Sequence, residues 1–580
     1  MNKQKSEDSR QKSEGKQLWI RGKRIMDDFT FVPRPSIHCK SLMIFQVSVV
    51  CLLLSVFCLL TGCHDRGEEF YKVQVAPEKL HQIDTLDLKQ AEEERPGRPE
   101  VNEPAPEKLE LTLEQCRALT LENNLDLEVE LINPAIAAER VSQQEARFEA
   151  AFSANVSYTK TDTPVASILD ISGSNLDYTY TNLGVSVPLR TGGTVSFDAT
   201  DNRTKTDSMY SIFNPSYGSD FSASISQPLL RNAGKRTSTY AIRIAEYDRQ
   251  ITDARTKLEM IRVIAAVDRV YWRLYAARKE LDVRRQQYEL AKALFEQAQR
   301  FVSAGEMAQI EVIRAEAGIA QQLEAIIISE NNVRDREREL KQTLNKSSLG
   351  METTTALVPA TEPDPVKYEL DKRKLVELAV DQRMEMLELE LQIAQDVSTL
   401  YYMQNQTLPL VTMDYTYNVN GLGSTRDDSY DLLFDKRFED HRLGLQMLVP
   451  LGNESAKSQL RQAFYQRRQR LASRDSRKAV IEYEVLSAID QLEANWQRIL
   501  AGRQSTILES RLLEAERRQF ELGLVTSTDV LLAQTNFADA QSAEISALSE
   551  YQIALVDLAF ATGTVLGAAK IQWEPVVSQE

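Results

Sequence analysis

The side chains best suited to catalysis or metal binding, the cysteines and histidines, are few and scattered along the chain. There are 5 cysteines and 4 histidines in 580 residues. No two cysteines form a Cys-x-x-Cys pair, and the histidines are too far apart in sequence for a typical zinc-ligand spacing. The chain also contains no Gly-rich dinucleotide fingerprint, P-loop or Gly-x-Ser-x-Gly motif. The sequence therefore predicts a protein that is not an enzyme, with no catalytic residues, no metal site and no cofactor.

The charge balance narrows the classes of partner. The chain has 69 Lys and Arg against 85 Asp and Glu, which gives a formal net charge of −16. Proteins that bind nucleic acids need clustered Lys and Arg to neutralise phosphates. The acidic balance therefore argues against a nucleic-acid partner and agrees with an ordinary well-solvated surface.

Cys63 is the cysteine whose sequence context predicts a reaction. A basic leader precedes an apolar segment at 42–60, and the tetrapeptide Leu-Thr-Gly-Cys63 follows. These are the features of a secretory signal, with translation starting at Met1 or at Met26. The tetrapeptide resembles the lipobox of bacterial lipoproteins, which implies that Cys63 is acylated and anchors the mature protein to the outer membrane. An uncleaved transmembrane helix is the alternative, because about 20 apolar residues also span a bilayer.

Two stretches with one shared pattern, 301–316 and 520–535, organise the rest of the chain. In each, a glycine separates two long helical patterns and stands seven residues before a valine, and an acid immediately precedes that valine. Such a repetition predicts a duplicated helical hairpin. The shared positions are Gly305, Glu311 and Val312 in the first stretch, and Gly523, Asp529 and Val530 in the second.

The helical patterns that lead into these glycines are long. They span about 237–303 and about 455–522, which corresponds to roughly 100 Å each. Between Tyr247 and Ala265, apolar and small residues are spaced alternately four and three apart, the spacing of a coiled-coil seam. A second apolar stripe lies beside the first and predicts a wall of helices with partners on both sides. An ordinary multi-helix bundle also fits this spacing.

Between the helical patterns, apolar residues alternate with polar ones at a period of two. The first repeat has four such segments, at about 151–160, 177–189, 194–201 and 219–228, and the second has strands within about 410–451. Strands with one apolar and one polar face occur in water-soluble sandwiches and in membrane barrels. The small hydroxylated residues on the polar side, the export signal and the long helices favour a barrel over a sandwich.

These patterns divide the chain into six segments. The second of them is rich in Pro and Glu and is expected to stay extended or disordered. The segments are a lipoprotein signal peptide at 1–62, an acidic Pro-rich linker at 63–108, a first repeat at 109–346 with strands at about 151–228 and a long helical hairpin at about 237–346, a linker at 347–365, a second repeat at 366–567 with strands at about 410–451 and a long helical hairpin at about 455–562, and a C-terminal tail at 568–580.

Several short motifs, taken in order and in both repeats, resemble those of the TolC-type family of outer-membrane efflux proteins. They are Leu-Thr-Leu-Glu at 111–114, Gln-Pro-Leu-Leu at 227–230, Val-Pro-Leu-Gly at 449–452 and the two glycine stretches. The resemblance covers about 109–567. It implies a mostly α fold in which duplicated long helical hairpins form a periplasmic tunnel and the strands contribute to a trimeric outer-membrane β-barrel.

The resemblance also implies a function and partners. Proteins of this family form homotrimers that act as passive conduits of tripartite efflux or type I secretion systems, for small molecules or proteins. They dock through their hairpin tips to a periplasmic adaptor, and an inner-membrane pump supplies the energy. The family usually has two strands per repeat, so the four in the first repeat imply either more than the usual twelve strands in the barrel or a hairpin outside it.

Carried over to this sequence, the resemblance assigns roles to the residues around the two glycines. Asp529 matches a position where the family often places an acid at the inner mouth of the channel, and Glu311 is its counterpart in the first repeat. Leu532 stands where the family has a second acid, and Asp529 also suits the start of a helix after Thr526, so both interpretations stay open. The expected adaptor-docking residues are Gly305, Glu306 and Met307 in the first repeat, and Gly523, Leu524, Val525 and Thr526 in the second.

A periplasmic coiled-coil adaptor or scaffold lipoprotein without a pore is the alternative class of function. An adaptor normally has one helical hairpin flanked by small β-domains, whereas this chain has two hairpins. A scaffold would use the alternating strands in a soluble domain. The duplication and the membrane-type alternation of the strands count against an adaptor.

Overall fold

A computed structural model describes residues 108–164 and 174–573. The predicted signal peptide, Cys63, most of the Pro-rich linker and the tail beyond 573 lie outside the described residues. The fold is mostly α-helical with one large antiparallel sheet, which confirms the predicted fold class. No helix among the described residues is both long and apolar enough to cross a membrane.

The two repeats share one basic order, which is a short strand, two short helices, long strands, a long helix and a returning helix, but the first has four long strands and the second has two. The first contains β1 (Lys108–Leu111), α1 (Leu113–Asn123), α2 (Leu125–Glu145), a 3₁₀ turn (Ala146–Phe148), β2 (Ala151–Asp162), β3 (Asn175–Pro188), β4 (Thr194–Thr206), β5 (Ser216–Pro228), α3 (Lys235–Ser238), α4 (Tyr240–Ser303) and α5 (Gln309–Leu344). The second contains β6 (Ala356–Pro359), α6 (Lys372–Gln382), α7 (Met384–Gln406), β7 (Leu410–Gly423), α8 (Arg426–Phe434), β8 (Glu439–Leu448), α9 (Glu454–Glu521), α10 (Ser527–Thr562) and α11 (Val565–Ala568).

One long helix in each repeat sets the height of the helical part. Helices α4 and α9 have 64 and 68 residues, which corresponds to about 100 Å each. Each packs against two shorter partners along its length: α4 against α2 and α5, and α9 against α7 and α10. The shorter helices therefore share the length of the long one.

The short helices of both repeats break at matching positions. Helix α1 ends and α2 begins at Asn124, whose side chain accepts a hydrogen bond from Leu127 N at 2.9 Å. Arg383 occupies the same place between α6 and α7. Pro134 lies inside α2, and the helix continues through it. The shared break supports a common origin of the two repeats.

A small parallel pairing ties the starts of the two repeats together. Strand β1 pairs with β6, with Leu109 opposite Leu357, and the Tyr271 hydroxyl donates to Leu111 O at 3.2 Å. Leu357 and Tyr271 are fully buried. The sequence predicts only a linker around β6, because a strand of four residues is too short to leave a detectable pattern.

The six long strands form one continuous antiparallel sheet in the order β2-β3-β4-β5-β7-β8. Strands β5 and β7 pair across the boundary between the repeats, with Phe221 opposite Val419. All four strand candidates of the first repeat therefore belong to the same sheet as those of the second. Helix α8 lies within 410–451, where the sequence pattern predicts only strands, and it packs against β5 and β7.

Candidate functional site

Each hairpin tip turns at a glycine in the left-handed backbone region. Gly305 has φ of +79° and Gly523 has φ of +71°. Gly523 N donates to Phe520 O at 3.0 Å and Leu524 N to Gln519 O at 3.0 Å, the paired bonds of a Schellman helix end. The first tip makes the same two bonds around Gly305. A glycine suits this conformation because a Cβ would be strained there, which explains the signal seen in the sequence.

The acid of the second tip, Asp529, closes the start of its own helix. Its Oδ2 accepts from Thr526 N at 2.9 Å and from the Thr526 hydroxyl at 2.7 Å. These hydrogen bonds, with a smaller contribution from the Arg314 guanidinium, hold the pKa of Asp529 below its ordinary value. Asp529 is exposed, and in this chain its carboxylate fixes the first turn of α10.

The acid of the first tip, Glu311, reaches across to the other repeat. Its Oε2 accepts from Ser527 N at 2.9 Å and from the Ser527 hydroxyl, and its Oε1 pairs with Arg314 at 2.6 Å. Burial alone would raise the pKa of Glu311, but the hydrogen bonds from Ser527 and the charge of Arg314 outweigh it and lower the pKa. Glu311 therefore links the two tips, a role that spacing along the sequence cannot reveal.

The two tips also share a hydrophobic core, which we call the tip core. It contains residues of α4, α5, α9 and α10, and the rings of Phe301 and Phe520 lie with their centroids 6.0 Å apart. Among the predicted docking residues, Met307 and Val525 pack against this core. The tip core is built from Leu294, Ala298, Val312, Ala315, Leu513, Phe520, Val530 and Ala533.

The outer surface of the tips carries exposed apolar side chains. Leu522 is 73% exposed and Leu524 72% exposed, and Glu306 is exposed in the first tip. Exposed apolar side chains that lie close together are typical of surfaces that bind a partner. The structure therefore divides the predicted docking residues into outward ones, such as Glu306 and Leu524, and inward ones, Met307 and Val525.

The sheet has one apolar face, and most of this face is open to the surroundings. Phe152, Val156 and Leu443 are 69%, 70% and 74% exposed. An exposed apolar surface that spans six strands exceeds what a water-soluble protein normally shows. One row across the apolar face runs through Phe152, Val185, Phe197, Ala223, Tyr417 and His441.

The opposite, polar face has the composition of a water-filled lumen. Ser196 and Ser224 lie side by side with their hydroxyl oxygens 2.6 Å apart. Apolar outward and polar inward faces are the pattern of a membrane β-barrel. One row across the polar face runs through Ser153, Gly184, Asp198, Ser222, Asn418 and Asp440.

Helix α8 covers the apolar face at its end farthest from the long helices. Its buried Ser429 donates to Ser219 Oγ at 2.8 Å, and Arg426 pairs with Asp201 at 3.0 Å. Its backbone approaches so closely that a Cβ on Gly421 would lie 2.1 Å from Ser429 O. The start of α8 carries a capping box, Thr425 with Asp428, and this Thr-x-x-Asp spacing is the signal that could have revealed the helix in the sequence.

Comparison with known proteins agrees with this architecture. The family model described as "Outer membrane efflux protein" matches residues 194–346 and 375–564. The chain is 24% identical over 341 residues to outer membrane protein TolC of Vibrio cholerae serotype O1, covering 57% of this chain and 74% of that protein.

Solved structures share the fold at low sequence identity. The outer membrane protein VceC of Vibrio cholerae matches with a TM-score of 0.58 and 14% identity, over 78% of this chain and 96% of that one. The Campylobacter jejuni CmeC outer membrane channel matches with a TM-score of 0.57 and 13% identity, over 78% and 85%. These matches disfavour the alternative of a pore-less adaptor or scaffold. The chain belongs to the outer membrane efflux protein family, a family of transport proteins, and is an outer-membrane efflux channel.

Proposed function

We propose that three copies of the chain form a passive conduit that is anchored to the outer membrane by acylated Cys63. The observation that carries the proposal is the sheet, whose apolar face is exposed while its polar face can line a lumen. The hairpin tips lie at the opposite end of α4 and α9 from the strands, about 100 Å away. Cargo, either small molecules or proteins, enters at the tips and leaves through the strands.

The tips are proposed to dock a periplasmic adaptor, which in turn engages an inner-membrane pump of a tripartite efflux or type I secretion system. Leu524 and Glu306 are exposed and are proposed to touch the adaptor. Gly305, Gly523 and Thr526 shape the turns that present them. Met307 and Val525 support the tips from inside. Asp529 is exposed, so its ring of three copies is proposed to narrow the inner mouth, with Glu311 holding it in place through Ser527.

The assembly is tested on the full-length protein extracted from outer membranes. We expect detergent-dependent trimers that conduct ions across planar bilayers, and release as a monomer by salt or chelator would overturn the proposal. Radiolabelled palmitate should enter the wild-type chain but not the Cys63→Ser variant. Incorporation into both would remove Cys63 as the lipid anchor.

Docking is tested by complementing a deletion strain and measuring its susceptibility to a panel of toxic compounds. Burying an exposed Leu contributes about 1.5–3 kcal/mol, so Leu524→Asp should weaken docking at least about 10-fold and leave the strain susceptible. Leu524→Met, which keeps an apolar chain, should restore resistance. Both variants should still form trimers, because Leu524 packs outside the tip core. Full resistance with Leu524→Asp would rule out docking through this residue.

A further inference from the structure

The two edges of the six-stranded sheet, β2 and β8, are long and are not covered by another described element. Strand β2 has 12 residues and β8 has 10, and almost all of them are exposed. Neither strand contains a proline. Proteins normally shorten, twist or cover such edges, since their open N–H and C=O groups attract another strand. Two uncovered edges on one sheet therefore point to pairing with further copies of the same sheet.

The directions of the two edges are compatible with such pairing. Each neighbouring pair in the sheet is antiparallel, so β2 runs away from the helices and β8 runs back toward them. Strand β8 of one copy can therefore pair with β2 of the next and continue the antiparallel alternation. The family match begins at Thr194, the first residue of β4, and takes in β4, β5, β7 and β8.

Barrel geometry predicts the register of this contact. Following the strand pairing straight across the sheet leads from Ala154 on β2 to Glu439 on β8. In a barrel whose shear equals its strand number, the strands tilt by about 36°, within the usual range. In an eighteen-stranded barrel, the row of directly opposite residues is therefore displaced along the strands by about six residues from one copy to the next. The fixed twist of sheets directs this displacement toward the outer end of the sheet, which is the end farthest from the long helices. Glu439 then lies opposite Lys160 of the next copy.

This register matches both edges over their full shared length. It sets all ten residues of β8 against Ala151–Lys160, without overhang. Because the shift is even, the apolar face meets the apolar face of the next copy and the polar face meets the polar face. On the apolar face, Val156 lies opposite Leu443. At the outer end, the Lys160 ammonium lies opposite the Glu439 carboxylate, so the charges are complementary as well.

We propose that β2 of one copy pairs with β8 of the next in this register, which closes an eighteen-stranded barrel from three six-stranded sheets. The proposal rests on the trimer of the proposed function. With strands 4.8 Å apart and tilted by 36°, eighteen strands give a backbone diameter of about 34 Å, against about 23 Å for twelve. The cross-section enclosed by the backbone is about 2.2-fold larger.

Cysteine cross-linking distinguishes the two barrel sizes at one position. In the eighteen-stranded barrel Gln446 lies opposite Ser153 of the next copy, on the polar face. If the β2–β3 hairpin lay outside, the same geometry for twelve strands would place Gln446 opposite Ser196 on β4. Directly opposite residues are about 4.5–5.5 Å apart, which suits a disulfide, whereas residues offset by two are about 7–8 Å apart. The native Cys116 is buried and does not interfere.

The experiment uses full-length protein in outer membranes, a mild added oxidant, and electrophoresis with and without reductant. We expect Gln446→Cys with Ser153→Cys to cross-link into covalent trimers. Gln446→Cys with Asn155→Cys, the offset control, should give at least about 5-fold less product. Cross-linking of Gln446→Cys with Ser196→Cys instead would establish a twelve-stranded barrel and overturn the proposal.

The single-cysteine variants serve to separate this proposal from the proposed function. Each should form non-covalent trimers like the wild type. Trimers without any Ser153–Gln446 cross-link would refute the pairing of β2 with β8 of the next copy, but they would not contradict the proposed channel. A wild-type chain that forms no trimers would refute the proposed trimeric channel and, with it, the pairing of β2 with β8 between copies.

Discussion

Replacing Glu311 with Ala should loosen the junction between the two hairpin tips and leave the rest of the helices unchanged. The change removes the acceptor of the Ser527 N–H, and Ser527 is fully buried, whereas the Ser527 hydroxyl can still donate to the backbone oxygen of residue 311 at 3.2 Å. A buried donor without a partner costs about 1–3 kcal/mol, and the lost negative charge at the start of α10 adds about 0.5 kcal/mol. We expect local opening to become easier by about 2 kcal/mol, which is roughly 30-fold.

Hydrogen exchange measured by mass spectrometry on the intact protein reports this opening. Peptides covering 301–316 and 520–535 should exchange roughly 30-fold faster in Glu311→Ala at pH 7. Glu306→Ala is the matched control, since Glu306 is an exposed acid on the same tip, and it should change exchange by less than about 2-fold. Unchanged exchange in Glu311→Ala, or an equal increase along the whole of α9, would refute the role assigned to Glu311.

The pH dependence of the same junction follows from the lowered pKa of Glu311. A carboxyl group whose pKa is lower in the folded protein stabilises the fold above its unfolded pKa of about 4.3. That contribution is lost as the pH falls through the folded value. Exchange at the tips should therefore stay constant from pH 7 to about pH 5, after correction for intrinsic rates, and increase below about pH 4. In Glu311→Ala this acid-dependent increase should be smaller.

Two further substitutions and one labelling experiment test the packing. Gly523→Ala should cost only about 1–2 kcal/mol, through its left-handed backbone, since a Cβ there meets no described atom within 4 Å. Gly421→Ala should detach α8 from the sheet, because the new Cβ would collide with Ser429 O. Limited proteolysis should then cleave the variant within 424–438, and resistance to cleavage would contradict the close packing of α8. Burial raises the Cys116 thiol pKa to about 12, so iodoacetamide should label it at pH 8 only after unfolding, as detected by mass spectrometry.

The sequence reveals the long elements of this fold because each repeats a clear pattern many times. Periodicity, together with the glycines next to them, places the helix that ends at Ser303 and the strand that begins at Thr194 at their observed ends. Strand β1, strand β6 and helix α8 were missed, since elements of four to nine residues carry too few repeats of any period. Their positions depend on contacts between residues far apart in the chain.

The tips show the same division between local and distant signals. Gly305 and Gly523 were found because a left-handed turn at a helix end favours glycine locally. Asp529 and Glu311 looked equivalent in sequence, yet one closes its own helix and the other bonds to Ser527 of the second repeat. That difference depends on how the two hairpins pack together, and the spacing of residues along the sequence carries no information about this packing.

The unequal number of strands in the two repeats has a consequence for symmetry. The hairpins α4–α5 and α9–α10 are near copies, so a trimer would arrange its tunnel with an approximate six-fold repeat. The sheet cannot follow this repeat, because the first repeat supplies β2 to β5 and the second only β7 and β8. Around the barrel, first-repeat sectors would occupy twice the arc of second-repeat sectors. The passage from tunnel to barrel is therefore a reduction from six-fold to three-fold symmetry, and the chain segments at that junction must differ between the repeats.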